Sequence, residues 1–320
     1  MRLVFRADAS IELGSGHVMR CAAIARAAKS RGYEAILVGT LGGIRWLREH
    51  LGDAGIKIIE SKDHLPVFSR ENDVLIIDSY SIDPNDSFLE MANWKGVVLL
   101  CDPPTPNYAA KIIVHPGLDS SWYLGPRDNF YFGFDFLPMR DGIFRNVVKP
   151  ISERCKKIVV FGGGTDPFGF GRAIAEHLTT HANFELAVFF CNSDSGIPEI
   201  DSRFVVKAFG RELDFEVATA DLVLTTSSTS SLEIVARGLP LGIVCAVNNQ
   251  ESLYGSLTEL NVAAAIGVRD EGNYWNFDIE KIDTLINNSI YRSKLVDNSN
   301  GLIDFHGSHR ILELISQFNS

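Results

Sequence analysis

The chain is short of several things, and each shortage removes a class of function. It has 5 cysteines in 320 residues, and Cys21, Cys101, Cys155, Cys191 and Cys245 are odd in number and widely spread. No two have C-x-x-C spacing, so neither a zinc site nor a redox dithiol is signalled. Most sit in or beside apolar runs, where a thiol behaves as a small hydrophobe. No apolar run approaches the roughly 20 residues that a membrane span requires. The N-terminus goes straight into a strand-like run with Asp8 close behind, unlike a signal peptide. A cytoplasmic protein with no stable membrane insertion is the expectation. Positive charge is also lacking: the formal net charge is −10. That argues against a general binder of nucleic acid or anionic membrane, because both require a basic surface. It leaves room for a locally positive pocket that takes a small anion. G-x-G-x-x-G and the P-loop with its lysine are both missing, so neither nucleotide motif is claimed.

What is present is a soluble, globular balance, with 46% hydrophobic and 22% charged residues. The length suits two domains, each with its own core. The most informative stretch is Arg6 to Arg20, RADASIELGSGHVMR. An apolar run, Leu3-Val4-Phe5, ends in Arg6 and Asp8. The turn Gly14-Ser15-Gly16 follows, and His17 then opens an alanine-rich segment that reaches Gly32. This reads as strand, tight loop and helix. Glycines at 14 and 16 let backbone approach a ligand closely. A helix start favours an anion, and a histidine there can exchange a proton near neutral pH. The same spacing also fits an ordinary βα connection and a capped or solvated histidine.

Further on, EAILVGT (34–40), IKIIE (56–60), DVLIID (73–78), VVLLCD (97–102) and, more weakly, KIIVHP (111–116) read as strands alternating with helical segments. That alternation predicts a parallel sheet covered on both faces. Ligands in such sheets sit beyond the carboxyl ends of the strands. Asp8, Asp78 and Asp102 all fall at strand ends and are candidates for one crevice; each is equally a cap or turn aspartate. From His115 to Arg145 the pattern turns irregular, aromatic and rich in Gly and Pro, and it leads into a linker. At KIVVFGGGTDPFGFGRAIAEHL strand, glycine loop and helix begin again. The alternation continues through FELAVFFC, RFVVKAF, DLVLTTSS, LPLGIVCA and VAAAIGV. The expected domains are 1–148 and 149–320, with a last helix, SHRILELISQF, that starts on a Ser308 cap and packs back across the junction.

The second half adds two constellations. Gly162-Gly163-Gly164-Thr165-Asp166 is a second close-approach loop, for an anion or a sugar, or a structural turn. TTSSTSSLEIVARGLP (225–240) gathers hydroxyls and backbone donors at a strand end and helix start, which suits a diphosphate. Glu233 lies within the first turns of that helix, where a carboxylate can accept from ribose hydroxyls or complete a capping box.

Together, RADASIELGSGHVMRC, FGGGTDP, STSSLE…GLP and NNQ resemble the UDP-sugar hydrolases of pseudaminic acid biosynthesis, relatives of the MurG-type glycosyltransferases. The resemblance runs from Arg6 to about Gly267, and G-x-G-H-x-x-R-C is its most specific part. YFGFDFLPMRDGIF is also similar to a segment of that family through Tyr131, Arg140 and Phe144. The resemblance implies an α/β chain of the GT-B fold, two Rossmann-like domains facing a central cleft. It implies hydrolysis of a UDP-linked 2,4-diacetamido-2,4,6-trideoxy sugar, with water attacking the anomeric carbon and UDP leaving. His17 is then the general base. Arg6, Asp8, Gly14, Gly16, Arg20, Tyr80, Arg140, Asn249 and Gln250 are expected to bind substrate. Gly163, Gly164, Ser228, Thr229, Ser230, Ser231 and Glu233 are expected to hold UDP. No cofactor and no metal are called for, because donors of the second domain hold the leaving diphosphate. Other enzymes of the sugar pathway are candidate partners.

The pattern departs from the family at several positions. Its Asp-His-Tyr is Asp78-Ser79-Tyr80 here, its acidic pair is Cys101-Asp102, and the glycine and threonine of its UDP loop are Ser228 and Ser230. These departures bear on substrate identity more than on fold. The rival readings are a MurG-like UDP-sugar glycosyltransferase, with His17 deprotonating an acceptor hydroxyl, and a nucleotide-sugar binding module without catalysis.

Overall fold

The computed structural model describes residues 1–319 except 61–66, 81, 84, 104–107, 141, 144–150, 165, 182, 192–195, 198 and 211. The junction expected at 148/149, and with it Phe144 and Thr165, lie outside the described residues. The chain forms two compact units, Met1–Gly142 with Asp304–Ser320, and Ile143–Ile303.

The first unit is built on β1 (Arg2–Arg6), β2 (Glu34–Val38), β3 (Lys57–Ile59), β4 (Asp73–Ile77), β5 (Gly96–Leu100), β6 (Ile112–His115) and β7 (Phe130–Phe132), with α1 (Gly16–Ser30) and α2 (Arg45–Asp53). The strands lie in the order β3-β2-β1-β4-β5-β6-β7, every neighbouring pair parallel. β4 is buried along its whole length, which is why its sequence is a continuous apolar run and not an alternating one. β7 falls in the stretch that reads as irregular in sequence. It has three residues and only Phe130 is buried, so it carries too little pattern to stand out. The strand order reverses between β1 and β4, and a crevice opens beyond the carboxyl ends of the strands at such a point.

The second unit repeats the design with β8 (Lys157–Phe161), α3 (Phe170–Leu178), β9 (Leu186–Phe190), β10 (Phe204–Lys207), α4 (Glu212–Ala218), β11 (Leu222–Thr226), α5 (Thr229–Arg237), β12 (Leu241–Cys245), α6 (Glu251–Glu259), β13 (Ala264–Arg269), β14 (Trp275–Phe277), α7 (Ile279–Asn287) and α8 (Ser289–Asn298). Its order is β10-β9-β8-β11-β12-β13-β14, with β14 antiparallel at the edge. The reversal lies between β8 and β11.

The last helix, α9 (Gly307–Ser316), belongs to the first unit. Its Ile311, Leu312 and Ile315 are fully buried in the core that also holds Val18, Cys21 and Leu3. The expected Ser308 cap is corrected by the structure: the capping position is His306, and the buried Ser308 hydroxyl has no hydrogen-bond partner among the described residues. Gly307 opens the helix directly against the Leu137 backbone; a Cβ there would sit 2.1 Å from the Leu137 carbonyl oxygen. Among the described residues, no helix is long and apolar enough to cross a membrane.

Candidate active site

The reversal point of the first sheet is furnished from four strand ends and one helix start. β1 delivers Arg6 and Asp8. Arg6 Nη1 donates to Asp8 Oδ2 at 2.7 Å, and the Thr40 amide donates to Asp8 Oδ1 at 2.8 Å. This pair is thus tied to the exit of β2. The chain then turns tightly, with the Gly14 amide donating to the Ser10 carbonyl at 2.9 Å. Gly14 has φ +75°, a conformation that side-chain-bearing residues rarely adopt. Ser15 is buried at the capping position, and Gly16 and His17 open α1.

Three residues place His17 and Arg20 on one face of α1. There they meet the carboxylates that end β4 and β5. His17 Nδ1 lies 2.6 Å from Asp78 Oδ1. Arg20 grips Asp78 with both arms of its fork, Nε to Oδ2 at 2.9 Å and Nη2 to Oδ1 at 2.7 Å. Its remaining nitrogen, Nη1, donates to Asp102 Oδ2 at 2.5 Å. Arg20 Nη2 also stands 3.2 Å from His17 Nδ1. An ionised carboxylate only accepts and a guanidinium only donates. The shorter contact therefore decides the tautomer: Nδ1 carries the proton toward Asp78, and the 3.2 Å approach is that of two donors sharing one oxygen. The lone pair then resides on Nε2.

Tyr80 closes the circuit. Its hydroxyl lies 3.3 Å from Asp102 Oδ2, and its ring meets His17 edge-on with centroids 4.6 Å apart. Burial raises the Tyr80 phenol well above its ordinary range, and Asp102 adds to the effect, so the hydroxyl stays protonated and donates. Burial alone would lift the Asp102 carboxyl. The Arg20 guanidinium and His115 outweigh it and hold Asp102 well below the usual carboxylate range. Burial likewise works against the Arg20 charge, but Asp102 and Asp78 prevail and its pKa is raised.

The structure brings His17, expected as the base, together with Arg20 and Tyr80, expected to bind substrate, and with Asp78 and Asp102, two of the three strand-end aspartates expected to share a crevice; His115 is its addition. His115 was missed, although a histidine closing the apolar run IIVH is the signal that could have found it. Ser79, at the position of the family histidine, is buried. Arg140 is partly buried beyond the turn Phe134–Phe136, where Tyr131 packs on Phe136.

In the second unit, the loops after β8 and β11 meet at the reversal point. Gly163 has φ +78°, and a Cβ on it would stand 3.8 Å from Thr226 Oγ1; Gly164 is partly buried beside it. Asp166 turns its carboxylate onto the amides of Phe170 and Gly171, at 2.9 and 3.0 Å. The start of α3 is thereby filled by the chain's own anion, and burial raises the carboxyl. At α5 the Ser228 amide donates to Ser231 Oγ at 3.3 Å, and Ser231 Oγ lies 2.6 Å from the Ser228 carbonyl. Ser231 is fully buried in this local cap, whereas Ser228, Thr229, Ser230 and Glu233 are partly exposed. Gln250 is occupied as well, its Oε1 accepting from the Ala246 amide at 2.9 Å. Its neighbour Asn249 is exposed.

No known protein-family model matches the chain. An uncharacterized protein of Methanocaldococcus jannaschii is 20% identical over 281 residues, which cover 79% of this chain and 57% of that protein. The chain thus spans little more than half the length of that curated relative. Solved structures match over nearly everything. MurG of Acinetobacter baumannii superposes with a TM-score of 0.68 at 12% identity, over 99% of this chain and 100% of its own. A glycosyltransferase of Rickettsia africae gives 0.66 at 12%, over 100% and 98%. The UDP-GlcNAc 2-epimerase of Neisseria meningitidis, bound to UDP-GlcNAc, gives 0.62 at 14%, over 99% and 100%. These likenesses establish the fold: the chain has the two-unit α/β architecture of the GT-B class.

Proposed function

We propose that the chain is a nucleotide-sugar hydrolase that releases UDP from a UDP-linked 2,4-diacetamido-2,4,6-trideoxyhexose or a close analogue. The observation that carries the reading is the 2.6 Å contact between His17 Nδ1 and Asp78 Oδ1 at the reversal point of the first sheet. With Nδ1 committed to a carboxylate, Nε2 takes a proton from water, and Asp78 stabilises the imidazolium that forms. The water oxygen bonds to the anomeric carbon while the anomeric C–O bond breaks. Its electron pair leaves on the β-phosphate oxygen of UDP, and the proton from water stays on His17. A diphosphate leaves readily when donors hold its charge. The hydroxyls of Ser228, Thr229 and Ser230 at the start of α5 have that chemistry, with Gly163 and Gly164 alongside and Glu233 toward the ribose. Within the first unit, Arg6, Asp8, Gly14, Gly16, Tyr80 and Arg140 are the residues this reading assigns to the sugar, and Arg20 orders them from behind through Asp78 and Asp102.

What supports a UDP-sugar substrate further is the company of the fold: its structural neighbours include glycosyltransferases and an epimerase bound to UDP-GlcNAc. The test is product analysis by NMR and mass spectrometry in H₂¹⁸O with a panel of UDP-sugars and no acceptor. Free sugar carrying the label at its anomeric oxygen is the expected result. Label in phosphate refutes C–O cleavage. UDP release that requires an added acceptor moves the assignment to a glycosyltransferase, and tight binding without turnover moves it to a binding module.

A further inference from the structure

His115, at the end of β6, lies outside the machinery just described, yet it is only 3% exposed and aimed at it. Its Nδ1 lies 2.9 Å from the carbonyl of Cys101, the residue that leads directly into Asp102. The same nitrogen stands 3.6 Å from Asp102 Oδ1, too far for a hydrogen bond but close enough for attraction across a part-buried gap. The imidazole is held from the other sides. Trp122 meets it edge-on with centroids 5.0 Å apart, and a Cβ on Gly117 would sit 2.5 Å from Nε2. That Nε2 is buried without a hydrogen-bond partner among the described residues. A lone pair left unmatched in this way costs free energy, so the ring is there for what its other nitrogen does.

We propose that His115 and Asp102 are positioning residues that act through Arg20 on His17. His115 pins the peptide that carries Asp102. Asp102 then presents Oδ2 to Arg20 Nη1 and to the Tyr80 hydroxyl. Arg20, fixed at that end, holds Asp78 with its other two nitrogens. Asp78 in turn fixes the ring and tautomer of His17, against which Tyr80 packs. The circuit His17, Asp78, Arg20, Asp102, Tyr80 closes on itself, and His115 braces it from behind. Its role in turnover rests on the hydrolase reading; its structural effect on His17 does not.

Two readouts keep those apart. In ¹⁵N-labelled protein, the Nδ1–H resonance of His17, assigned by its loss in His17→Ala, reports the locked tautomer without any substrate. It is expected in the wild type and in His115→Asn, whose amide can replace the Nδ1 donor, and to broaden away in His115→Leu and Asp102→Asn. With a substrate that the wild type hydrolyses, kcat falls by up to about 100-fold in the latter two, as for a misplaced reacting group, with KM unchanged and His115→Asn near wild type. Circular dichroism and UDP titration verify the fold; should His115→Leu not fold, Asp102→Asn decides. Retention of the resonance, or an unchanged kcat in a folded variant, overturns the proposal. A wild type that shows the resonance but no turnover on any UDP-sugar overturns the hydrolase reading instead.

Discussion

His17 and Arg20, one turn apart on α1, reach the same oxygen of Asp78, at 2.6 and 2.7 Å. One carboxylate thereby orders both the imidazole and the cation beside it. If His17 is the base, His17→Ala lowers kcat for UDP-sugar hydrolysis by about 10²–10⁴-fold, the usual worth of general-base action. UDP binding, measured by calorimetry, is expected to stay at its wild-type level. A variant with undiminished turnover removes His17 from the chemistry.

Arg20 is 5% exposed and faces two carboxylates. Arg20→Ala leaves both without their partner, and breaking a buried pair from one side costs about 3–5 kcal/mol. Urea unfolding followed at the first unit is expected to register that loss. Arg20→Lys restores the charge but not the three-pronged fork that spans Asp78 and Asp102, so it recovers only part of the stability. Full recovery in the lysine variant would show that charge alone matters here.

Asp304, ahead of α9, accepts from both terminal nitrogens of Arg310 and from the His306 amide. Its hydrogen bonds with Arg310 outweigh burial and bring its pKa down to about 2. A carboxyl whose folded pKa is depressed stabilises the fold above its unfolded value, and that contribution is lost as pH falls through the folded one. The gap in stability between wild type and Asp304→Asn should therefore be constant at neutral pH and close between roughly pH 4 and pH 2. Both partners are more than a third exposed or nearly so, so solvent screening limits the gap to within about 1 kcal/mol. Denaturant midpoints measured across that window check both sign and size.

Much of the architecture is legible because a parallel strand buried on both faces must be apolar throughout, and DVLII and KIVVF can be little else. β7 and β14 escaped because FYF and WNF, unlike β3 within IKIIE, stand in no aliphatic run and bury at most one residue each. The glycine loop and His17 are adjacent in sequence and so can be read together. Asp78 and Asp102 are readable as strand-end acids of one crevice, but they lie 58 and 82 positions from Arg20, and only the strand order identifies them as its partners. Asp166 illustrates a different limit. As a residue after three glycines it reads as part of an anion loop, and only the fold reveals that its own carboxylate occupies the start of α3.

Gly307 sets how α9 enters the first unit. A methyl group there would stand 2.1 Å from the Leu137 carbonyl oxygen and 2.5 Å from its carbon, both backbone atoms that cannot swing aside. Gly307→Ala must push the helix start outward and strain the seating of Ile311, Leu312 and Ile315. Overpacking of this kind costs about 1–3 kcal/mol. Deleting α9 altogether exposes the core surface that those three side chains cover, at about 1.5–3 kcal/mol each, a sum comparable to the whole stability of a domain. The expected series is a lowered melting temperature for Gly307→Ala and loss of cooperative unfolding in the first unit for a chain ending at Ile303. The second unit, whose core contains no residue of α9, should keep its own transition. A first unit that melts normally without the helix would show that α9 only covers a sheet already stable without it.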